Sequence, residues 1–176
     1  MKKGTIFILA LILIIIIVGV VIFVTTRGEK EDLAAENIGN REGMQTSKYE
    51  LKNDEKDLTP YHEFSKDAFG EPQGYSEIPS CAFEGVDKVY TYADYEITTT
   101  MLGGKEVIYS TYLLTDAVST PEGVKIADEK AAMIAAYGEE YTENGTEYIY
   151  LDGNVSISFI TENDVITSIQ YTMVTE

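Results

Sequence analysis

Residues 124–174 read VKIADEKAAMIAAYGEEYTENGTEYIYLDGNVSISFITENDVITSIQYTMV, and this stretch sets the expected fold. Asp128 is placed as an N-cap, Met133, Ile134 and Tyr137 share one helical face, and Gly138 is the stop. Beyond it the period changes to two. Val155, Ile157 and Phe159 alternate with Ser156 and Ser158, and Val165, Thr167, Ile169, Tyr171 and Met173 alternate in the same way. Asp152-Gly153 and Asn163-Asp164 read as hairpin turns. The stretch is a short helix followed by three antiparallel strands.

The chain contains this pattern twice. Thr59-Pro60 is a helix start, with Thr59 as N-cap and Pro60 at the first helical position. Tyr61, Phe64 and Ala68 follow at helical spacing, and Gly70 with Pro72 ends the helix. Phe69-Gly70-Glu71 matches Tyr137-Gly138-Glu139 at a spacing of 68. Downstream the spacing is 58. Tyr90 and Tyr92 match Tyr148 and Tyr150, Ile97 matches Val155, Met101 matches Phe159, and Val107-Ile108 match Val165-Ile166. The ten-residue difference falls in the loop from Gln73 to Asp87. The expected fold is α+β, with two tandem helix-plus-antiparallel-meander units over residues 49–118 and 119–176.

Ahead of them, Lys2 and Lys3 precede an apolar run from Ile6 to Val24, nineteen residues long and close to the ~20 needed to cross a bilayer. Val24-Thr25-Thr26-Arg27 offers no Ala-x-Ala-like cleavage site. Residues 1–26 are therefore expected to be an uncleaved N-terminal transmembrane helix, a signal-anchor meeting the membrane through residues 5–24. Residues 27–48, polar and acidic, are expected to be a flexible tether. A short basic head of this kind stays in the cytoplasm, which puts the remainder outside the cell membrane as an extracytoplasmic, single-pass protein.

The formal net charge of −17 excludes nucleic acid as a natural partner, because phosphate binding draws on clustered Lys and Arg. One cysteine, Cys81, allows neither an internal disulfide nor a cysteine-based zinc site. His62 is the single histidine and is read as a surface helix residue. No phosphate loop, His-Glu-x-x-His pair or calcium loop occurs, so neither cofactor nor metal is expected.

The order of short helix, aromatic-Gly and three-stranded meander resembles two related families. They are the small outer-membrane assembly lipoprotein domain and the β-lactamase inhibitor protein, which carries two such units. The first copy keeps Gly70-Glu71-Pro72; the second has Glu140 at the corresponding place, and Ala127 stands where such domains carry glycine before the helix. The segments Pro79-Ser80-Cys81-Ala82-Phe83-Glu84-Gly85 and Thr120-Pro121-Glu122-Gly123-Val124 look like those of anchored or lipidated proteins of Gram-positive gut bacteria. The resemblance implies protein–protein interaction, not catalysis.

Two functions follow as expectations. The first is a non-catalytic, membrane-tethered binding module for a protein or peptide partner. The second is a cell-envelope hydrolase working with carboxylates alone, which needs two acids in one cleft with one pKa raised. The candidate binding residues are Tyr90, Tyr92, Tyr148 and Tyr150, since tyrosine offers large contact area at low entropy cost. They either fill the core or form a binding face. If Ile149 and Leu151 point to the core, alternation puts Tyr148 and Tyr150 on the face away from the helix, partly exposed.

Overall fold

The computed structural model describes residues 47–83 and 85–175. The expected anchor at 1–26 and nearly all of the tether at 27–48 lie outside the described residues. Among the described residues, no helix is long and apolar enough to cross a membrane, so the transmembrane and signal-anchor reading has no helix in the structure to support it.

The described chain opens with a two-stranded ribbon, β1 (Lys52–Asn53) and β2 (Lys56–Asp57). Helix α1 (Lys66–Phe69) follows. Four strands come next: β3 (Gly74–Pro79), β4 (Val86–Thr91), β5 (Tyr95–Leu102) and β6 (Lys105–Leu113). Helix α2 (Lys130–Tyr137) leads to β7 (Thr142–Asn144), β8 (Glu147–Asp152), β9 (Val155–Glu162) and β10 (Val165–Met173).

The expected α+β class is corrected here. Among the described residues the fold is mostly β: eight strands form one antiparallel sheet in the order β3-β4-β5-β6-β10-β9-β8-β7, and the two helices have only four and eight residues. Separate helix-plus-meander units do not describe it. The last strands of the two halves, β6 and β10, pair directly through Ile169–Leu113 to Thr172–Ser110. One apolar core runs across that junction.

The helices are short for local reasons. Thr59 does not cap α1. Its hydroxyl accepts from the Leu51 N–H at 2.9 Å and ties residue 59 to the β1–β2 ribbon. Tyr61 has φ 72°, outside helical space, and the Tyr61 and Phe64 N–H groups donate to the β6 carbonyls of Ile108 and Glu106 at 2.9 Å. The chain from 61 to 64 thus runs beside β6 as an irregular strap, and helix begins only after Ser65. In the second half Glu129, not Asp128, is the N-cap residue; the Asp128 carboxylate accepts from the Lys125 N–H at 2.9 Å, closing the preceding turn. Both stops fall where expected, at Gly70 (φ 81°) and Gly138 (φ 87°).

Tight turns set the register. Gly103-Gly104 and Asn163-Asp164 have positive φ throughout, as hairpins with the right-handed twist require. Cross-strand partners share a face of the sheet, so each register dictates which side chains meet the core. Tyr90 opposes Ile97, and Tyr148 opposes Phe159. These partners differ from those at a constant spacing of 58. The outer strands keep that spacing, while β9 is displaced four residues along relative to β5. The β4–β5 hairpin closes at Tyr92–Tyr95, whereas the β8–β9 ladder runs on to Asp152–Val155. Conversely, β5–β6 runs further past its bulge than β9–β10 does.

Candidate functional site

The two faces of the large sheet differ in what covers them. On one face, α1 and α2 pack through Phe69 and Met133, and Phe64 and Tyr137 join them. All four candidate tyrosines point into this layer: Tyr90, Tyr92, Tyr148 and Tyr150 are buried, at 6%, 8%, 5% and 1% exposure. Tyr90 stacks on Phe64 with centroids 4.5 Å apart, and Tyr150 lies 5.2 Å from Tyr137. The expectation that Tyr148 and Tyr150 face away from the helix is therefore corrected. Leu151 is the outward residue, 62% exposed. Tyr150 opposes Ile157 and Tyr148 opposes Phe159, both core residues, so the rings share their face.

The hydroxyls of these rings make polar clusters at the margin of the core. The Tyr90 hydroxyl is 3.0 Å from a Glu106 carboxylate oxygen, to which Thr99 also donates at 2.7 Å, while Lys88 Nζ lies 2.7 Å from the other oxygen. Burial pushes the Glu106 carboxyl up, but hydrogen bonds from Lys88, Thr99 and Tyr90 outweigh it and leave the pKa below its ordinary value. At the far side of the sheet Lys130 Nζ donates to the Tyr148 hydroxyl at 2.6 Å and sits 4.0 Å over its ring; Tyr148 donates to Glu143 at 3.0 Å. Tyr150 donates to the Gly138 carbonyl at 2.8 Å. Burial, then neighbouring Tyr141 and Tyr49, push Tyr150 up to about 12; burial, then Tyr95 and Glu71, push Tyr92 up to about 12. Such phenols stay protonated and serve as donors.

Among the described residues, the other face carries no helix. Alternation places Thr91 on it from β4, Glu96 and Thr98 from β5, Ser110 and Tyr112 from β6, Gln170 and Thr172 from β10, Ser156 and Ser158 from β9, and Glu147 and Ile149 from β8. Most are half-buried, against near-complete burial of their neighbours in the core. Tyr112 and Gln170 oppose one another at the centre, where the two halves join. Two carboxylates flank them: Thr91 donates to Glu96 at 2.9 Å, and Ser158 donates to Glu147. Leu151 and Ile160 add exposed apolar area near one end.

Charge adds to the description. Residues 1–46 hold five basic and five acidic side chains, so 13 − 5 = 8 basic and 30 − 5 = 25 acidic side chains fall on residues 47–176. The whole net −17 belongs to the part that contains the sheet.

His62 lies in the irregular strap, not in a helix, and its Nδ1 is 3.1 Å from the Asp57 carboxylate. Cys81 is exposed and unpaired. Among the described residues no group of three or more His, Cys, Asp or Glu side chains is placed to hold a metal ion. No family model, curated protein or solved structure matches this chain. Nothing in those comparisons bears on the resemblance to the β-lactamase inhibitor protein and the outer-membrane assembly domain.

The helix-free face has a signal in the sequence. The alternating Ser156 and Ser158 in β9 pick out its polar side, and Thr98, Ser110, Gln170 and Thr172 continue it across the sheet.

Proposed function

We propose that the domain is a non-catalytic binding module whose helix-free sheet face docks a protein partner with a basic surface. The observation that supports this reading most is the contrast between the two faces: one is roofed by both helices, while the other leaves Tyr112 and Gln170 half-buried at the centre of eight strands. A twisted sheet supplies a rigid platform, so short hydroxyl and amide side chains contact a partner with little ordering cost. The acid excess favours a partner with Lys and Arg, raises the encounter rate and repels acidic competitors. The apolar run from Ile6 to Val24 argues, from sequence alone, for a place outside the cytoplasm.

The competing hydrolase needs a carboxyl with a raised pKa beside an ionised one. Glu106, whose carboxyl sits in the best-developed polar cluster, is held in the opposite direction. Photo-crosslinking in intact cells tests the proposal. A benzophenone side chain at position 170 or 158 should trap one defined adduct, and the same group at position 139, beyond α2, should not. Equal adducts from all three positions, or none from 170 and 158, would sink it.

A further inference from the structure

The sheet ends at β3, and this edge is built differently from the edge at β7. The Tyr92 N–H donates to the Tyr95 carbonyl at 2.9 Å, so residues 92, 90 and 88 direct their backbone groups toward β5, and 91, 89 and 87 direct theirs toward β3. The Ser80 N–H donates to the Gly85 carbonyl at 3.1 Å and gives the same phase from the other end of the ladder. On β3, then, Gly74, Ser76 and Ile78 pair inward, and Tyr75, Glu77 and Pro79 present their backbone outward. Pro79 has no N–H to offer, which blunts that end of the edge. Tyr75 and Glu77 leave two N–H groups and two carbonyls unpaired by any described strand.

Beside Tyr75 the edge borders an open groove of about 450 Å³, lined by Lys66, Glu71, Pro72, Gln73, Tyr75 and Tyr90. Tyr75 is 53% exposed; its inner side packs 5.2 Å from Tyr90, and its hydroxyl is held by Glu77 at 2.5 Å. Lys66, the cation at the groove, is 2.9 Å from Glu71 and already neutralised by it.

The β7 edge shows what such a place accepts. Glu143 opposes Tyr148 there, as Tyr75 opposes Tyr90 here. At β7 the chain supplies its own lysine, Lys130, which covers the Tyr148 ring within reach of Glu143. At β3 the exposed aromatic ring is Tyr75, with the Glu77 carboxylate beside it.

We propose that the β3 edge binds an extended, lysine-bearing peptide segment that adds a ninth strand, pairs with the backbone of Tyr75 and Glu77, and lays a cationic side chain on Tyr75. Strand addition takes affinity from the main-chain hydrogen bonds and selectivity from alternate side chains, and the groove lies where one of them falls. The cation gains from the Tyr75 ring and from Glu77. A second copy of this chain is a poor occupant, because edge-to-edge pairing brings together two domains that each carry −17 and a glutamate at the pairing edge.

The test uses the full chain in neutral detergent and the synthetic peptide acetyl-Thr-Lys-Val-Lys-Thr-Lys-Val-amide, with a Glu-for-Lys version as control. Saturable binding of the lysine peptide should shift backbone resonances of residues 66–78 and slow hydrogen exchange at the Tyr75 and Glu77 amides. Glu77→Pro removes one outward N–H and leaves the ladder to β4 intact, so binding should weaken about tenfold, as expected for one lost hydrogen bond. Glu77→Gln keeps the N–H and should weaken binding by a smaller factor, as should Tyr75→Ala. The glutamate peptide should not bind. Four results would each overturn the proposal: no saturable binding; shifts that map to Tyr112 and Gln170 or to β7; binding indifferent to both Glu77→Pro and Tyr75→Ala; or Tyr75 and Glu77 amides protected before peptide is added. That last result would assign the edge to residues of this chain or to a second copy.

Discussion

Phe159 stands in the second half of the sheet where Ile97 stands in the first: each directly opposes the tyrosine that anchors its half, Tyr148 and Tyr90. Both are fully buried. Met101, four residues past Ile97 on β5, is 49% exposed. Phe159→Ala empties a core aromatic site and should cost about 3–5 kcal/mol. Met101→Ala should stay within about 0.5 kcal/mol. Urea unfolding of the two variants reads the contrast directly, and equal losses would mean that the register is wrong.

Much of the fold was legible in the chain. Six strands, β4 to β6 and β8 to β10, the two glycine stops and the two-residue turns at Gly103-Gly104 and Asn163-Asp164 follow from alternation and turn chemistry. Strand β3, which occupies the expected loop from Gln73 to Asp87, and the short edge strand β7 do not. The turn expected at Asp152-Gly153 falls one residue later because Asp152 pairs with Val155. The four-residue displacement of β9 was not legible, because a longer β8–β9 hairpin and a shorter β9–β10 hairpin cancel and restore a spacing of 58 at β10. Helix length is not legible locally, because Thr59 has a tertiary partner, Leu51, which overrides its capping preference. The face of Tyr148 and Tyr150 was in fact determined by the sequence. Any two-residue turn near Gly153 pairs an even-numbered residue of β8 with an odd-numbered residue of β9, and the odd ones are Val155, Ile157 and Phe159. Greater hydropathy of Ile149 and Leu151 argued otherwise, and cross-strand pairing outweighs it.

Ala127 occupies a left-handed backbone conformation, φ 73°, just before α2. Its N–H donates to the Ile166 carbonyl at 2.9 Å, so the backbone is held there by β10. A Cβ in that region costs about 1–2 kcal/mol, and glycine avoids the cost. Ala127→Gly should therefore stabilise the protein by up to about 1 kcal/mol, since glycine's greater freedom in the unfolded chain offsets part of the gain. A lowered melting temperature would contradict the assignment.

The buried phenols predict an alkaline limit to stability. Tyr92 and Tyr150 have folded pKa values of about 12 against an ordinary 10.0. The folded state keeps its protons where the unfolded chain has begun to lose them. Their stabilising contribution is complete below pH 10 and is lost as pH rises from 10 through 12. The ultraviolet tyrosinate signal should accordingly appear in two stages, with Tyr92 and Tyr150 ionising only as the fold opens. Tyr150→Phe removes the bond to Gly138 and should cost about 1 kcal/mol at neutral pH. A single non-cooperative titration of all thirteen tyrosines near pH 10 would show that the rings are not buried.

Glu106 predicts the acid limb. Its carboxylate accepts from Lys88, Thr99 and Tyr90, and the folded pKa lies below the ordinary 4.5 although burial pushes the other way. With a depressed folded pKa, the contribution is present above pH 4.5 and is lost as pH falls through the folded value. Glu106→Gln keeps the shape and removes the charge, so it should cost about 1–2 kcal/mol at neutral pH, reduced from a fully buried pair by the partial exposure of both side chains. The same variant should lose less stability than the parent as pH drops below 4.5, so the two curves converge in acid. Lys88→Met removes one of the three donors and raises the Glu106 pKa, which moves the acid transition to higher pH. Parallel stability curves for parent and Glu106→Gln across that range would show that the carboxylate carries no proton-linked stability.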